Sequence, residues 1–330
     1  MKQLDIVAIG NAMLDVFLII QEQNRFTKIN NEEKEICFAY GEKIHVESYK
    51  LCIGGNASNV AVGLRRLGFL VGLCVEVGDD EFSQKIMHGF ASEGLDASHV
   101  IQTKNSPSSF SVGINFGGER TLFVEHVKRI HKFQFENLKA QWFYLTSLGV
   151  EWKEAYKNAL DFAKDNGVKL AFSPGTHQFE ELTAISDVLS ATDILFVNKE
   201  EATRISNFKF QISNTQEMKA LLQVLQSMGP KVVSITDGKE GSYALEADGT
   251  VYKLGMFPGN ALERTGAGDA YASGFLAAII AGHDILDAMR WGAINAASVV
   301  SQVGSQAGLL KREEIEKKLT DFPEFKAKEI

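Results

Sequence analysis

A glycine turn followed by an acid opens the small-residue, apolar helix predicted within the segment Glu263–Phe275. Gly266 and Gly268 would let backbone N–H groups approach an anion closely, and a helix N-terminus adds a partial positive charge. Asp269 would repel a phosphate bound there, so its presence needs a reason. Accepting a proton from an attacking hydroxyl group is such a reason, because phosphoryl transfer needs little early deprotonation. The alternative is that Asp269 only stabilises the first turn of the helix.

Two segments near the N-terminus also carry polar residues that could bind a ligand. Gly54 and Gly55 open a second predicted helix whose Asn59 can exchange hydrogen bonds with hydroxyl groups. Asn11 and Asp15 follow the first predicted strand, where a carboxylate can accept two hydrogen bonds from a sugar. The alternatives are an N-capped helix after a tight turn, a turn-forming Asn and a solvated Asp.

Two further strand ends carry polar residues. The predicted strand Ile194–Val197 ends at Asn198, three residues before Glu201, which could order magnesium through water. The next predicted strand ends at Thr236 and is followed by Gly238 and Gly241. A helix start and a hairpin turn would explain these segments without chemistry. Four such features at strand ends together favour one shared cleft.

Strand and helix patterns alternate along most of the chain, which predicts a doubly wound α/β domain with a mainly parallel sheet flanked by helices. The predicted strands are Leu4–Ile9, Val71–Val77, Trp142–Leu145, Lys169–Phe172, Ile194–Val197 and Lys231–Thr236. The predicted helices are Ala57–Leu67, Phe82–Glu93, Trp152–Asn166, Glu180–Ala191, Glu200–Ile205, Gln216–Met228, Ala267–Ala281 and Ile285–Val303.

Two strand pairs without intervening helices interrupt this alternation. Leu14–Ile20 with Ile36–His45, and Phe110–Phe116 with Arg120–His126, predict a small antiparallel sheet. The second pair would turn through Gly117-Gly118. A lid over the cleft, an edge extension and a dimer surface are the open alternatives. We expect one domain over 1–330, with lid strands from about 12–21, 34–50 and 108–126.

Composition excludes several classes of function. The 330 residues carry a net charge of −8, and the basic residues are scattered, which argues against a nucleic-acid partner. Three widely spaced cysteines fit a reducing compartment, and no apolar run is long enough for a membrane span or signal peptide, so we expect a cytoplasmic enzyme. No P-loop occurs in the sequence. No dinucleotide fingerprint follows the first strand, which argues against a nicotinamide oxidoreductase.

Taken together, these segments resemble the ribokinase/PfkB family of sugar and nucleoside kinases, in order and over essentially the full length. The matching segments are Gly10–Asp15, Gly54-Gly55 with Asn59, Gly78-Asp79-Asp80, Gly118-Glu119-Arg120-Thr121, Asn198 with Glu201, Thr236–Gly241 and Thr265–Asp269. The most specific pair is Gly-Ala-Gly-Asp before a late helix and Gly-Gly before an early one. The resemblance implies a ribokinase-like fold, ATP, Mg²⁺ and a small β-sheet lid.

The resemblance also implies roles for individual residues. Asp269 would be the catalytic base, and the amides of Gly266, Ala267 and Gly268 would form its anion hole. The implied nucleotide-binding residues are Asn198, Thr236, Gly238, Gly241, Thr265 and Asn295, the last at the adenine, with Glu201 at magnesium. The implied acceptor-binding residues are Asn11, Asp15, Gly54, Gly55 and Asn59.

The sequence departs from the family pattern at Glu263-Arg264, where the family usually has Asp and a small residue. That acidic position often helps to hold a monovalent cation, so potassium activation is left open. We hypothesise that Arg264 supplies a fixed positive charge near the anion hole; the alternative is that it points to solvent.

The acceptor is predicted to be the exocyclic CH₂OH group of a sugar. A nucleoside is the alternative, because the Asn11–Asp15 segment resembles adenosine-kinase-like members. A non-catalytic sugar- or nucleotide-binding relative is an alternative of another class. A homodimer through the lid is a further expectation.

Overall fold

The computed structural model describes residues 3–21, 24–33, 35–116, 119–207, 212 and 214–330. Its strands are β1 Leu4–Ile9, β2 Met13–Ile20, β3 Thr27–Asn30, β4 Glu35–Phe38, β5 Val46–Gly54, β6 Val71–Cys74, β7 Glu76–Val77, β8 Ile101–Gln102, β9 Phe110–Phe116, β10 Glu119–Glu125, β11 Ala140–Thr146, β12 Lys169–Ser173, β13 Ile194–Asn198, β14 Val232–Thr236, β15 Ser242–Leu245, β16 Val251–Leu254 and β17 Lys328–Glu329. Its α-helices are α1 Asn56–Arg66, α2 Glu81–Ser92, α3 Trp152–Asn166, α4 Thr176–Glu180, α5 Ser186–Ala191, α6 Lys199–Ser206, α7 Thr215–Ser227, α8 Ala267–Ile280, α9 Ile285–Val300 and α10 Arg312–Asp321.

A nine-stranded central sheet carries the domain, in the order β17-β16-β15-β14-β13-β12-β11-β1-β6. Six neighbouring strands of this sheet run parallel: β6, β1, β11, β12, β13 and β14. The remaining three, β15, β16 and β17, add an antiparallel edge. Along β1, Ile6 and Ala8 enter one apolar cluster, and Val7 and Ile9 enter another. Continuous apolar strands are required because each strand is buried on both faces. The predicted doubly wound, mainly parallel sheet is confirmed.

A second, four-stranded sheet has the order β10-β9-β2-β5 and is called the small sheet below. Its β9–β10 hairpin is confirmed, although the predicted Gly117-Gly118 turn lies outside the described residues. All its pairs are antiparallel except β2–β9, which is parallel. The partner predicted for β2 at 36–45 is wrong. β2 pairs instead with β5, whose largely exposed, polar sequence hides its strand character, and β4 pairs with β3.

Some element boundaries also differ from the prediction. The helix predicted over Glu180–Ala191 is helical only in α5 and at the last residue of α4, because residues 181–185 form turns. Between them the Ser186 hydroxyl donates to the Thr183 carbonyl, a local bond that competes with continuous helix. The predicted strand Val71–Val77 is divided into β6 and β7, and β3, β15, β16, β17 and α10 were not predicted. Among the described residues no helix is both long and apolar enough to cross a bilayer.

Candidate active site

A cavity of about 670 Å³ lies between the inner face of the small sheet and the carboxyl ends of the parallel strands. It is the place where such folds bind ligands. Many residues predicted from the sequence line this cavity together: Asp15, Gly55, Asn59, Asn198, Glu201, Thr236, Thr265, Gly266, Gly268 and Asp269. Asn11, Gly54, Gly238, Gly241, Ala267 and Asn295 are not among its lining residues.

Asp269 stands in the first turn of α8 with its carboxylate held by two amides of α1. Asn59 Nδ2 donates to its Oδ2 at 2.8 Å, and Asn56 Nδ2 donates to its Oδ1 at 3.0 Å. Burial raises the pKa of Asp269 to about 6, although both amides favour the charged form and lower it; the charge of Asp15 raises it further. Asp269 is therefore oriented and ionised near neutral pH, yet more basic than an exposed aspartate.

The glycine turn before Asp269 requires Gly266 for steric reasons. Gly266 has φ +76, and a Cβ there would lie 2.6 Å from the Cβ of Ser305. The Ala267 N–H donates to the Arg264 carbonyl at 3.3 Å. The N–H groups that follow belong to the first turn of α8, which has no intrahelical acceptor for them. Gly268 lines the cavity, so this turn presents helix amides to a bound anion.

Asp15 reaches the cavity from β2 and is also buried. It accepts a hydrogen bond of 2.6 Å from the Ser111 hydroxyl on β9. A Cβ at Gly54 would lie only 1.9 Å from Asp15 Oδ2, so Gly54 makes room for this carboxylate rather than contacting a ligand. Burial raises the pKa of Asp15 to about 6; Glu263 raises it further, and Arg120 and the Ser111 hydrogen bond lower it.

Asn11 and Gly55 meet beside this carboxylate. Asn11 Nδ2 lies 3.4 Å from the Ser147 hydroxyl. The main-chain carbonyl oxygen of Asn11 would lie 2.4 Å from a Cβ at Gly55. Gly55, at φ +89, therefore allows the start of α1 to pack directly against the end of β1.

Asn198 and Glu201 form a capping box at the start of α6. The Glu201 N–H donates to Asn198 Oδ1, and the Asn198 N–H donates to Glu201 Oε2, both at 2.9 Å. Burial raises the pKa of Glu201, and the charges of Asp269 and Glu200 raise it further. No basic side chain within the described residues forms an ion pair with Glu201, so a cation here would be favourable.

The donor set at Glu201 fits magnesium held largely by water and phosphate. No group of three or more His, Cys, Asp or Glu residues suited to a metal occurs in the described part of the chain. Magnesium is commonly bound through one or two carboxylates together with substrate phosphates. Glu201 could supply such a carboxylate, with its unbonded Oε1 available.

The turn that follows Thr236 is a one-turn 3₁₀ helix, Gly238–Glu240, which leads into β15. Gly238 and Gly241 have φ values of +52 and +90. A Cβ at Gly241 would lie 2.1 Å from the Leu254 carbonyl oxygen, so this glycine is needed for hairpin packing. Thr236 lines the cavity and the two glycines form the turn beyond it.

Asn295 is fully buried between α8 and α9 and does not reach the cavity. Its Nδ2 donates to the Ala270 carbonyl and the Ser273 hydroxyl, and its Oδ1 accepts from the Leu310 N–H. Both the nitrogen and the oxygen of this side-chain amide are hydrogen-bonded within the protein. The predicted contact with adenine therefore has no support from the structure.

The Glu263-Arg264 pair differs from the hypothesis based on the sequence. Arg264 is exposed and does not line the cavity, so its side chain supplies no fixed charge there. The basic partner of Glu263 is instead Arg120 on β10, whose Nη1 lies 2.8 Å from Glu263 Oε1. Glu263 also accepts from the Thr265 hydroxyl and, at 2.9 Å, from the Gly304 N–H.

Three contributors to the site were missed. Asn56 was interpreted as a possible helix cap, but the N-cap is Gly55 and Asn56 donates to Asp269. Ser111 carried no local signal, because β9 reaches β2 only through the fold. Arg204 lines the cavity with its guanidinium over the Phe179 ring, and its position three residues after Glu201 on one helix face could have indicated it.

The chain is similar to proteins whose activity is named. A family model described as pfkB family carbohydrate kinase matches residues 5–312. A 5-dehydro-2-deoxygluconokinase of Clostridium perfringens is 31% identical over 268 residues, which cover 76% of this chain and 78% of that protein.

Two solved structures share the fold. Arabidopsis thaliana ribokinase complexed with ribose and ATP is 19% identical, with a TM-score of 0.78 over 96% of this chain and 99% of that one. A putative ribokinase II from E. coli in complex with ATP and Mg²⁺ is 18% identical, with a TM-score of 0.76 over 96% and 99% of the two chains. Because the family model spans most of the sequence, the chain belongs to the pfkB family of carbohydrate kinases.

Proposed function

We propose that this carbohydrate kinase transfers the γ-phosphoryl group of ATP to a primary hydroxyl group of a sugar or sugar acid. The observation that carries the proposal is the buried Asp269 carboxylate, which two asparagine amides hold beside the glycine turn at 266–268. A base and an anion-binding turn are thereby adjacent in one cavity, the arrangement that an attacking alcohol and a transferred phosphoryl group require.

In the proposed reaction, the acceptor oxygen forms a bond to the γ-phosphorus as the bond to the β–γ bridging oxygen breaks, which releases ADP. Asp269 orients the hydroxyl and accepts its proton late in the step. Asp15 holds another hydroxyl of the acceptor, while Asn59, which also lines the cavity, keeps Asp269 in place. The amides of Gly266 and Gly268 stabilise the charge on the transferred group, since the Ala267 N–H is already bonded to the Arg264 carbonyl.

We further propose that the nucleotide lies along the ends of β13 and β14. Asn198, Thr236 and Thr265 line that side of the cavity, and Gly238 and Gly241 shape the turn beyond Thr236. Arg204, which pairs with no carboxylate among the described residues, is placed to contact a phosphate. Magnesium, when bound, would neutralise phosphate charge beside Glu201.

For the acceptor, we favour a sugar acid of the 5-dehydro-2-deoxygluconate class, because a relative of that name shares 31% identity. A nucleoside is the second candidate. The Asn11–Asp15 segment, which resembles that of adenosine-kinase-like members, supports it.

The acceptor can be identified by ADP release across a panel of pentoses, hexoses, sugar acids and nucleosides. We expect turnover with a sugar or sugar acid and a thermal shift for the same compound, because ligands that bind the folded state stabilise it. 5-Dehydro-2-deoxygluconate is the first compound to test. Turnover confined to nucleosides would overturn the sugar assignment.

Replacing the proposed base tests the mechanism. We expect Asp269→Asn to lower kcat by about 10²–10⁴-fold, the range for loss of a general base, while ATP still raises the melting temperature. Wild-type kcat/KM should fall below about pH 6, because Asp15 and Asp269, with pKa values near 6, become protonated there. Asp165→Asn, which neutralises an exposed carboxylate of α3 outside the cavity, is the matched control. An Asp269→Asn enzyme with near-wild-type kcat contradicts the assigned role.

Monovalent cations should have little effect on this enzyme. Arg120, Thr265 and the Gly304 N–H already bind the buried Glu263 carboxylate, and the positive charge of Arg120 beside it disfavours a second cation. We expect equal initial rates in potassium, sodium and choline chloride at constant ionic strength, and loss of activity with EDTA in all three. Strong stimulation by potassium alone would refute this.

We also propose a homodimer through the outer face of the small sheet. Leu51, Val16, Val112 and Phe123 form one row across its four strands, and Leu51 and Phe123 are exposed. Exposed apolar rows of this kind commonly mark protein interfaces, and a second copy of the chain offers a matching surface. Light scattering should give twice the chain mass for the wild type and one chain mass for Phe123→Glu. A wild-type monomer at micromolar concentration sinks the proposal.

A further inference from the structure

One ion pair joins the small sheet to the segment that carries the catalytic turn. Arg120 projects from the inner face of β10, and its Nη1 lies 2.8 Å from Glu263 Oε1. The Glu263 side chain is only 5% exposed, and it stands two residues before Thr265. A carboxylate buried to this degree depends on its partner, since removing one member of a buried pair leaves an uncompensated charge.

The small sheet also contacts the loop formed by residues 301–308, which follows α9 and is called the 301–308 loop. Lys50 Nζ on β5 donates to the Val303 carbonyl at 2.6 Å. Gly304, at φ +100, packs so closely on β5 that a Cβ would lie 3.0 Å from Cys52 Sγ. The Gly304 N–H donates to the second oxygen of Glu263 at 2.9 Å. The docked sheet, Glu263 and the loop therefore hold one another in place.

The 301–308 loop in turn fixes the amide that orients the base. The Ser305 hydroxyl and Gln306 Nε2 donate to Asn59 Oδ1 at 2.9 and 3.0 Å. With its oxygen held by two donors, the Asn59 amide must direct its Nδ2 away from the loop. That nitrogen donates to Asp269 Oδ2 at 2.8 Å. Hydrogen bonds thus connect the small sheet to Glu263, Glu263 to the 301–308 loop, and the loop through Asn59 to Asp269.

We propose that Arg120 and Glu263, acting through the 301–308 loop and Asn59, couple docking of the small sheet to the orientation of Asp269. Arg120 is then a positioning residue, which sets the base without touching the reacting atoms. Leu122 and Val124 of the same strand line the cavity, so the strand that covers the acceptor also carries the arginine. The base is held for catalysis only when the sheet is docked. This inference rests on the proposed role of Asp269.

Four variants test the coupling: Arg120→Met, Glu263→Gln, the double variant, and Arg120→Lys. Arg120→Met and Glu263→Gln should each lower kcat by about tenfold or more, the scale of one charge-assisted hydrogen bond, with KM for ATP unchanged. The double variant should be no slower than the worse single one, because both act through one network. Arg120→Lys should recover part of the loss. Lys28→Met, an exposed cation on β3, is the matched control and should keep wild-type kcat and KM.

Hydrogen exchange provides a readout that does not depend on turnover. Amides of the 301–308 loop should exchange faster in Arg120→Met than in wild type or Lys28→Met, at temperatures where all three are folded. If the wild type phosphorylates no acceptor, the proposed function fails, and exchange still decides the coupling.

Two results would overturn the inference. One is a folded Arg120→Met enzyme with wild-type kcat and unchanged exchange in the loop. The other is a higher KM for the acceptor at unchanged kcat, additive with Glu263→Gln, which would mean that Arg120 binds the acceptor directly. If Arg120→Met does not fold, Arg120→Lys and Glu263→Gln carry the decision through the same measurements.

Discussion

Burial of three carboxylates at one edge of a parallel sheet is the constraint on which the site depends. Asp15, Glu263 and Asp269 are all withdrawn from water, and the charge of Asp15 acts on Asp269 while that of Glu263 acts on Asp15. Each carboxylate must be stabilised by donors, because an unpaired buried charge is far more costly than a neutral polar group. The donors are different in each case: a hydroxyl for Asp15, a guanidinium for Glu263 and two amides for Asp269.

This division of donors fits three different tasks. Burial raises the pKa of Asp15 and of Asp269, and their neutral hydroxyl and amide donors lower it only in part. The guanidinium pairs with Glu263, whose other hydrogen-bond donors, the Thr265 hydroxyl and the Gly304 N–H, also belong to the protein. A guanidinium placed directly on Asp269 would lower its pKa and make it a weaker base. Arg120 therefore contacts Glu263 and not Asp269, the proposed base.

Sequence patterns were enough for the central sheet and for the residues that end its strands. The continuous apolar strands, glycine turns and helix starts are local signals. Asp269, Asp15, Asn59 and Glu201 were predicted from them, and all four line one cavity. The β2–β5 pairing, Ser111 and Arg120 were not found, because each depends on contacts between distant segments. Asn295 was misplaced because similarity of position does not show where a side chain points. The fixed charge hypothesised for Arg264 rested on its place in the sequence beside Glu263, and the alternative that Arg264 is exposed to solvent agrees with the structure.

The buried amide of Asn295 bears on how the rotation of helix α8 about its axis is fixed. Helix α8 is built from small apolar residues on nearly all sides, so hydrophobic burial distinguishes poorly between one face and another. A slip of one residue would turn the helix by about 100° and carry Asp269 out of the cleft at little cost in buried area. Asn295 removes that freedom, because only one rotation offers it both the Ala270 carbonyl and the Ser273 hydroxyl. A buried polar group in the core thus fixes the rotation of α8 and, with it, the direction in which Asp269 faces.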